Sequence, residues 1–244
     1  MDSVEVTMKA AYIGNEEQIY SHRYGPQNAK YMVLLLQPLP WEMLRVAWAY
    51  HNLGYYLAKK GIACFTFHYR HSGDSEGSSE GFRIPKCLED VEQVLAQFPN
   101  KKLILIGFRF GGNLLHQIRK SPNIIARFAV DPIPNGSEYL REQKQIHRQF
   151  LLDNRLVTES HDEKELHGYP ITEELFDEIR ALSILRLSEV RYFLSSGDNT
   201  QAFDNPILFE EETPIWSSWQ QLGFNHFSHG ALKVLKQAID EVYP

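Results

Sequence analysis

Residues 103–112 read LILIGFRFGG: four apolar residues, Leu103 to Ile106, run without interruption into a turn holding Gly107, Arg109, Gly111 and Gly112. An unbroken apolar run is what a strand covered on both faces requires, because each side chain must be buried whichever way it points. The glycines tolerate sharp backbone reversal and close approach of another chain segment. The stretch therefore predicts a buried strand, a tight turn at Arg109 and a helix directly after it.

Working outward, similar runs occur in MVLLL at 32–36, IACFTF at 62–67 and RYFL at 191–194. Strand-like patterns cover Val4 to Ala11, Gln18 to Tyr24, Tyr31 to Gln37, Ile62 to His68, Leu103 to Ile106, Ala126 to Val130 and Val190 to Leu194. Helical patterns lie between them, at residues 44–59, along CLEDVEQVLAQF with Leu88, Val91, Leu95 and Phe98 on one stripe, and near the C-terminus with Ala231, Val234, Leu235, Ala238 and Val242. Strand and helix in alternation predict a mostly parallel central sheet flanked by helices. The first two strands have no helix between them, so they are expected to pair as an antiparallel hairpin at the sheet edge.

The stretch 134–188 breaks this rhythm. It is rich in charge, holds at least two helical patterns and has no convincing strand; Ile171, Thr172 and Phe176 stand where a hydrophobic staple and an N-cap belong, with Glu173 and Glu174 in the first turn. The expected plan is a core of residues 1–133 and 189–244 with a helical cap insertion at 134–188, overhanging the strand ends where open α/β sheets bind ligands.

Composition narrows the function classes. The 244 residues are 43% apolar and 23% charged, with 25 basic against 31 acidic side chains and a net charge of −6. Such a chain is globular, and it lacks the basic stripe that nucleic acid would select. No apolar run approaches a membrane span of roughly 20 residues, and the opening MDSVEVTMKA has no signal-like apolar core, so the expected address is cytoplasmic. Cys64 and Cys87 are too few for a disulfide framework and read as reduced core residues. No cofactor fingerprint is present, and the cap histidines His161 and His167 stand apart from other residues at metal-ligand spacing, so neither a metal nor a cofactor is expected.

Three segments in order carry a resemblance: QPLPWEM after the strand at 31–37, YRHSGDSEG after the strand at 62–68, and GFRFGG after the strand at 103–106. They resemble the α/β-hydrolase fold, in which the third segment is the nucleophile elbow, of pattern G-x-S-x-G. Arg109 stands where that pattern has serine. Within the superfamily the details are similar to hydrolase-like proteins encoded beside bacterial exosortase systems, which share a P-P-F-x-E-E-M-type loop and an arginine elbow. DPIPNGSEYLREQ and LHGYPITEELFDEI extend the likeness across roughly residues 30–190. Trp41 departs from the first acidic position of the loop while Glu42 and Met43 match, and Gly112 stands where that group tends to alanine. The resemblance implies a biosynthetic accessory role and no conventional acyl-serine chemistry.

It also orders the site as nucleophile, acid and histidine, which points to Asp198 after the strand VRYFLSS and to His226 before the final helix. His229, Asp204 and Asp131 are rivals. Glu42 lies in the loop that in this fold faces the elbow, where its carboxylate could meet the Arg109 guanidinium; that pair would either serve a site or simply tie two loops together. Arg70, Gly73, Asp74 and Ser75 read as a structural turn. Ser79, in GSSEG at 77–81, matches G-x-S-x-G but lacks the apolar strand that an elbow needs before it. Two functions remain open. One is an enzyme taking a small anionic or acyl-type substrate, with Arg109 holding the anion or oxyanion, His226 moving a proton and Asp198 and Glu42 supporting them. The other is a catalytically inactive hydrolase-fold protein that binds a ligand or a protein partner. A homo-oligomer is compatible with either.

Because the turn offers a guanidinium where a base-activated hydroxyl is needed, the protein is expected to remain unlabelled by fluorophosphonate probes of serine hydrolases. Mass-spectrometric mapping of the treated protein checks this: a stoichiometric adduct on any serine contradicts it, and one on Ser79 identifies the rejected motif as the true elbow.

Overall fold

The computed structural model describes residues 6–156, 164–184, 189–195, 203, 205–209 and 229–243. In chain order the elements are β1 (Met8–Ile13), β2 (Ile19–Tyr24), β3 (Tyr31–Leu36), α1 (Met43–Lys59), β4 (Ala63–Phe67), α2 (Ile84–Leu95), β5 (Lys102–Phe108), α3 (Phe110–Leu114), β6 (Ile124–Val130), α4 (Gly136–Asp153), β7 (Glu165–Leu166), β8 (Tyr169–Pro170), α5 (Glu173–Arg180), β9 (Val190–Ser195), β10 (Ile207–Phe209) and α6 (His229–Val242). Eight strands form one sheet in the order β1-β2-β4-β3-β5-β6-β9-β10. From β4 to β10 every pairing is parallel, while β2 runs antiparallel to both β1 and β4. The expected edge hairpin is therefore present.

The apolar runs are explained by two cores, one on each face. Val33, Leu35, Ile104, Ile106 and Phe128 pack with α1 and α6, whereas Leu34, Leu36, Leu103 and Leu105 join a second cluster with α2, α3 and the 139–182 segment. Alternate side chains of β3 and β5 thus enter opposite layers, and neither face of these strands admits a polar residue. Both cysteines are buried free thiols, Cys64 against the first layer and Cys87 against the second. Among the described residues no helix is long and apolar enough to cross a membrane.

The elements differ from the sequence reading at several points. β1 begins at Met8 rather than Val4, α2 begins at Ile84 with a proline in its first turn, and β10 was not anticipated. Its three residues, Ile207, Leu208 and Phe209, are too few to establish a period, and their strand state comes from pairing with β9.

Between β6 and β9, α4 and α5 are the two expected helices, joined by a two-residue antiparallel pair, β7 with β8, where no strand was anticipated. The Thr172 hydroxyl accepts a hydrogen bond from the Leu175 amide at 3.2 Å, so the expected N-cap is present, while Asn135 caps α4 by accepting from the Ser137 and Glu138 amides. Glu178 of α5 ties this segment to the core: it accepts from Arg83 Nε at 2.7 Å and from the Ile84 amide at 2.9 Å, at the start of α2.

Gly136 starts α4 against α5 with no room for a side chain, since a Cβ there would lie 1.7 Å from the Ile179 carbonyl oxygen. Gly136→Ala is expected to lower stability by about 3 kcal/mol, in the upper range for a single substitution, because backbone must shift. Denaturant melts check the size, and hydrogen exchange should show α4 and α5 deprotected ahead of β3 and β5; uniform deprotection would mean that this contact supports the whole core.

Candidate functional site

The turn after β5 places Arg109 at the carboxyl end of the central strand, with φ +50° and ψ −119°. Non-glycine residues pay strain at positive φ, and here the surroundings impose it. The Arg109 amide donates to the Val130 carbonyl at 2.9 Å, and the Arg109 carbonyl accepts from the Gly112 amide at 2.8 Å. Gly107 and Gly111 make the turn possible: a Cβ on Gly107 would lie 2.2 Å from the Gly111 carbonyl oxygen, and one on Gly111 would lie 2.4 Å from that of Leu36. The LILIGFRFGG pattern therefore does give a strand, a strained turn and a helix.

The Arg109 side chain meets two neighbouring strand ends. Its Nε donates to Glu42 Oε1 at 3.3 Å, and its Nη1 donates to the Asp131 carbonyl at 3.3 Å. Glu42 arrives on a short 3-10 turn, Pro40–Glu42, that leads from β3 into α1. It is 1% exposed, and its Oε2 has no hydrogen-bond partner among the described residues. Burial opposes the arginine's charge, but Glu42, then Tyr139, Asp131 and Glu142, outweigh it and raise the guanidinium above its ordinary value.

Tyr139 of α4 completes the group. Its hydroxyl accepts from Trp41 Nε1 at 2.8 Å, and the Arg109 guanidinium lies 5.4 Å from its ring centroid, within range of a cation–π contact. Burial and then the adjacent Glu42 carboxylate push its phenol well up, so it stays protonated. A cavity of about 340 Å³ opens beside these residues, lined by Arg109 and Ile133 and by Glu138, Tyr139, Arg141 and Glu142 of α4.

Behind Glu42 lies a second polar group. Arg45, 1% exposed on α1, is lowered by burial against the opposing pull of Glu42. It acts in turn on His167, whose ring is edge-on to His147 at 5.2 Å between centroids. Burial, then His147 and Arg45, lower His167 to about 3, so it is a neutral imidazole near pH 7. Among the described residues neither of its ring nitrogens has a hydrogen-bond partner, nor has Gln143 Nε2 nearby on α4.

The other anticipated residues divide as follows. Asp198 and His226, like Asp204 and His161, lie outside the described residues. His229 is the first residue of α6. Asp131, a rival acid, ties the ends of β6 and β9 together: its Oδ1 accepts from the Ser195 amide at 2.7 Å and from the Ser195 hydroxyl at 3.0 Å. Arg70 has its acidic partners outside its own turn. It pairs with Asp90, which is 0% exposed on α2, and Asp74 instead faces His68. Ser75 Oγ accepts from the Tyr20 amide and donates to the His68 carbonyl. Ser79 opens a 3-10 turn, Ser79–Gly81, with no strand before it. Among the described residues no three histidine, cysteine or acidic side chains are grouped to hold a metal ion.

Tyr139 and Arg45 were missed in the sequence. Arg45 had a signal, a charge on the buried stripe that continues through Val46, Ala49 and Leu53; Tyr139 had none beyond lying in DPIPNGSEYLREQ.

A family model described as the alpha/beta hydrolase fold matches residues 43–131. No curated protein matches the chain. Among solved structures, a putative hydrolase from Agrobacterium vitis is 18% identical with a TM-score of 0.64, covering 98% of this chain and 100% of that one. A proline iminopeptidase-related protein from Thermus thermophilus is 13% identical with a TM-score of 0.64 over 98% and 99% of the two chains. Mouse alpha/beta hydrolase domain-containing protein 10 is 15% identical with a TM-score of 0.60 over 96% and 97%. The chain therefore has the α/β-hydrolase fold, with a mostly parallel central sheet flanked by helices.

Removing the guanidinium strands a carboxylate that is 1% exposed, so Arg109→Ala is expected to cost about 3 kcal/mol, the lower end for breaking a buried pair. Arg109→Gly should recover roughly 1–3 kcal/mol of that by releasing the positive-φ strain. Chemical denaturation of Arg109→Ala, Glu42→Gln and the double mutant measures the coupling; additive losses would mean that the 3.3 Å contact contributes nothing to folding.

Proposed function

We propose that this protein acts on or binds a small anionic or acyl-type substrate at Arg109, beneath a helical cap formed by residues 134–188. One observation carries the reading: a guanidinium occupies the strained turn at the carboxyl end of β5 and lines a cavity of about 340 Å³ walled by α4. The carboxyl ends of a parallel sheet are where such folds hold ligands, and paired N–H donors suit a carboxylate or a developing oxyanion. Glu42 and the Asp131 carbonyl orient the guanidinium, and Tyr139 shields one of its faces. His226 serves as the proton-transfer group with Asp198 as its acid, and chemistry proceeds without an acyl-serine intermediate. The QPLPWEM loop and the arginine at the turn support the finer likeness to exosortase-associated hydrolase-like proteins and a biosynthetic accessory role.

A second reading is a ligand- or partner-binding module that has lost chemistry. The contact that favours it is Arg109 Nε with Glu42 at 3.3 Å, since a guanidinium held this way supports loops as well as substrates.

Metabolite capture by the purified protein, read by mass spectrometry, is expected to recover anionic small molecules, and Arg109→Ala should reduce that recovery about tenfold or more. Equal recovery would remove Arg109 from the site. The companion variant Arg109→Ser restores a turn hydroxyl. Hydrolysis of p-nitrophenyl acetate by Arg109→Ser, lost again in Arg109→Ser with His226→Ala, is the result expected if His226 is the proton-transfer group; turnover independent of His226 would assign that role elsewhere.

A further inference from the structure

The cavity beside Arg109 carries charge of both signs. Arg109 and Arg141 line it, and so do Glu138 and Glu142, with Asn135 and Gln145 adding amides. Glu138, Arg141, Glu142 and Gln145 recur at helical spacing, so they form one face of α4 over a rise of ~10 Å. All four are exposed, and no ion pair engages Glu138, Arg141 or Glu142 among the described residues. Glu142 stands near enough to act on both Arg109 and Arg45.

This wall discriminates between ligand classes. An alkyl chain laid along it would strip water from two carboxylates and two guanidinium groups without replacing any hydrogen bond, and among the described residues its apolar contacts would be with Ile133, Pro134 and the Tyr139 ring. A simple anion gains Arg109 and Arg141 but meets Glu138 and Glu142, and like charges at close range are penalised. Glu42 already offsets Arg109 from below, which leaves the acidic part of the wall still less balanced. The complementary molecule carries its own cation as well as its anion.

We infer that the cavity takes a small zwitterion of amino-acid to dipeptide size, its carboxylate toward Arg109 and Arg141 and its ammonium toward Glu138 and Glu142. At about 340 Å³ the cavity is at the small end of ligand sites, which fits that size. The inference rests on Arg109 as the anion holder and refines the substrate class held there.

Isothermal titration of the full chain with alanyl-alanine, N-acetyl-alanyl-alanine and octanoate tests it. Alanyl-alanine is expected to bind at least about tenfold more tightly than either of the others. Glu138→Gln with Glu142→Gln should weaken alanyl-alanine by about tenfold while leaving the acetylated dipeptide unchanged or tighter, and Arg141→Gln should weaken both dipeptides. These positions are exposed, so the variants keep the fold, and thermal melts verify it. Equal or tighter binding of the acetylated dipeptide or octanoate, lost in Arg109→Ala, overturns the zwitterion and leaves Arg109 as the anion holder. Binding that Arg109→Ala does not alter overturns the Arg109 reading itself. Failure of alanyl-alanine to bind at millimolar concentration also overturns the zwitterion assignment.

Discussion

A guanidinium with an 11% exposed side chain, held at positive φ, needs a compensating carboxylate within reach, and Glu42 supplies it from a different strand end. That requirement organises much of what surrounds it. The turn carrying Arg109 is possible only because Gly107 and Gly111 leave room for backbone to cross backbone, and Glu42 is in place only because Pro40–Glu42 bends the chain sharply from β3 into α1. A charge removed from water this far is costly without a partner, and a partner fixed on another loop makes the two loops one unit.

The sheet makes this arrangement stiff. Leu34, Leu36, Leu103 and Leu105 pack into one layer while Val33, Leu35, Ile104 and Ile106 pack into the other, so β3 and β5 are held from both sides. Their carboxyl ends carry Glu42 and Arg109, and the register of β3 on β5 sets the separation of those ends. The 134–188 stretch is attached differently. Tyr139, Leu140, Leu166, Ile171, Leu175, Ile179 and Leu182 join it to the second apolar layer, and the hydrogen bonds of Glu178 to the start of α2 and of Trp41 to Tyr139 add polar ties. The cavity lies at this junction, between a rigid floor on the sheet and a wall on α4.

Polar groups are buried unusually close together beside that floor. Glu42, Arg45, Gln143 and His147 are all nearly inaccessible, and among the described residues Glu42 Oε2, Gln143 Nε2 and both His167 ring nitrogens lack hydrogen-bond partners. Folding alone gains little from such groups, since unsatisfied buried polar atoms destabilise.

The sequence by itself determined seven of the eight strands of the sheet, the edge hairpin, the main helices and the tight turn at Arg109, because apolar periodicity and glycine spacing are local properties that any covered strand or close crossing must show. It also placed Glu42 opposite the turn through the resemblance of its loop. Tertiary structure alone decided which side chains complete the group. Tyr139 meets Trp41 across 98 residues, Arg70 finds Asp90 on α2 instead of Asp74 in its own turn, and Asp131 Oδ1 accepts from Ser195, 64 residues away. None of these pairings leaves a trace in local pattern: each exists because two separately folded segments are brought to the same end of one sheet, and residue type at either position is compatible with many other partners.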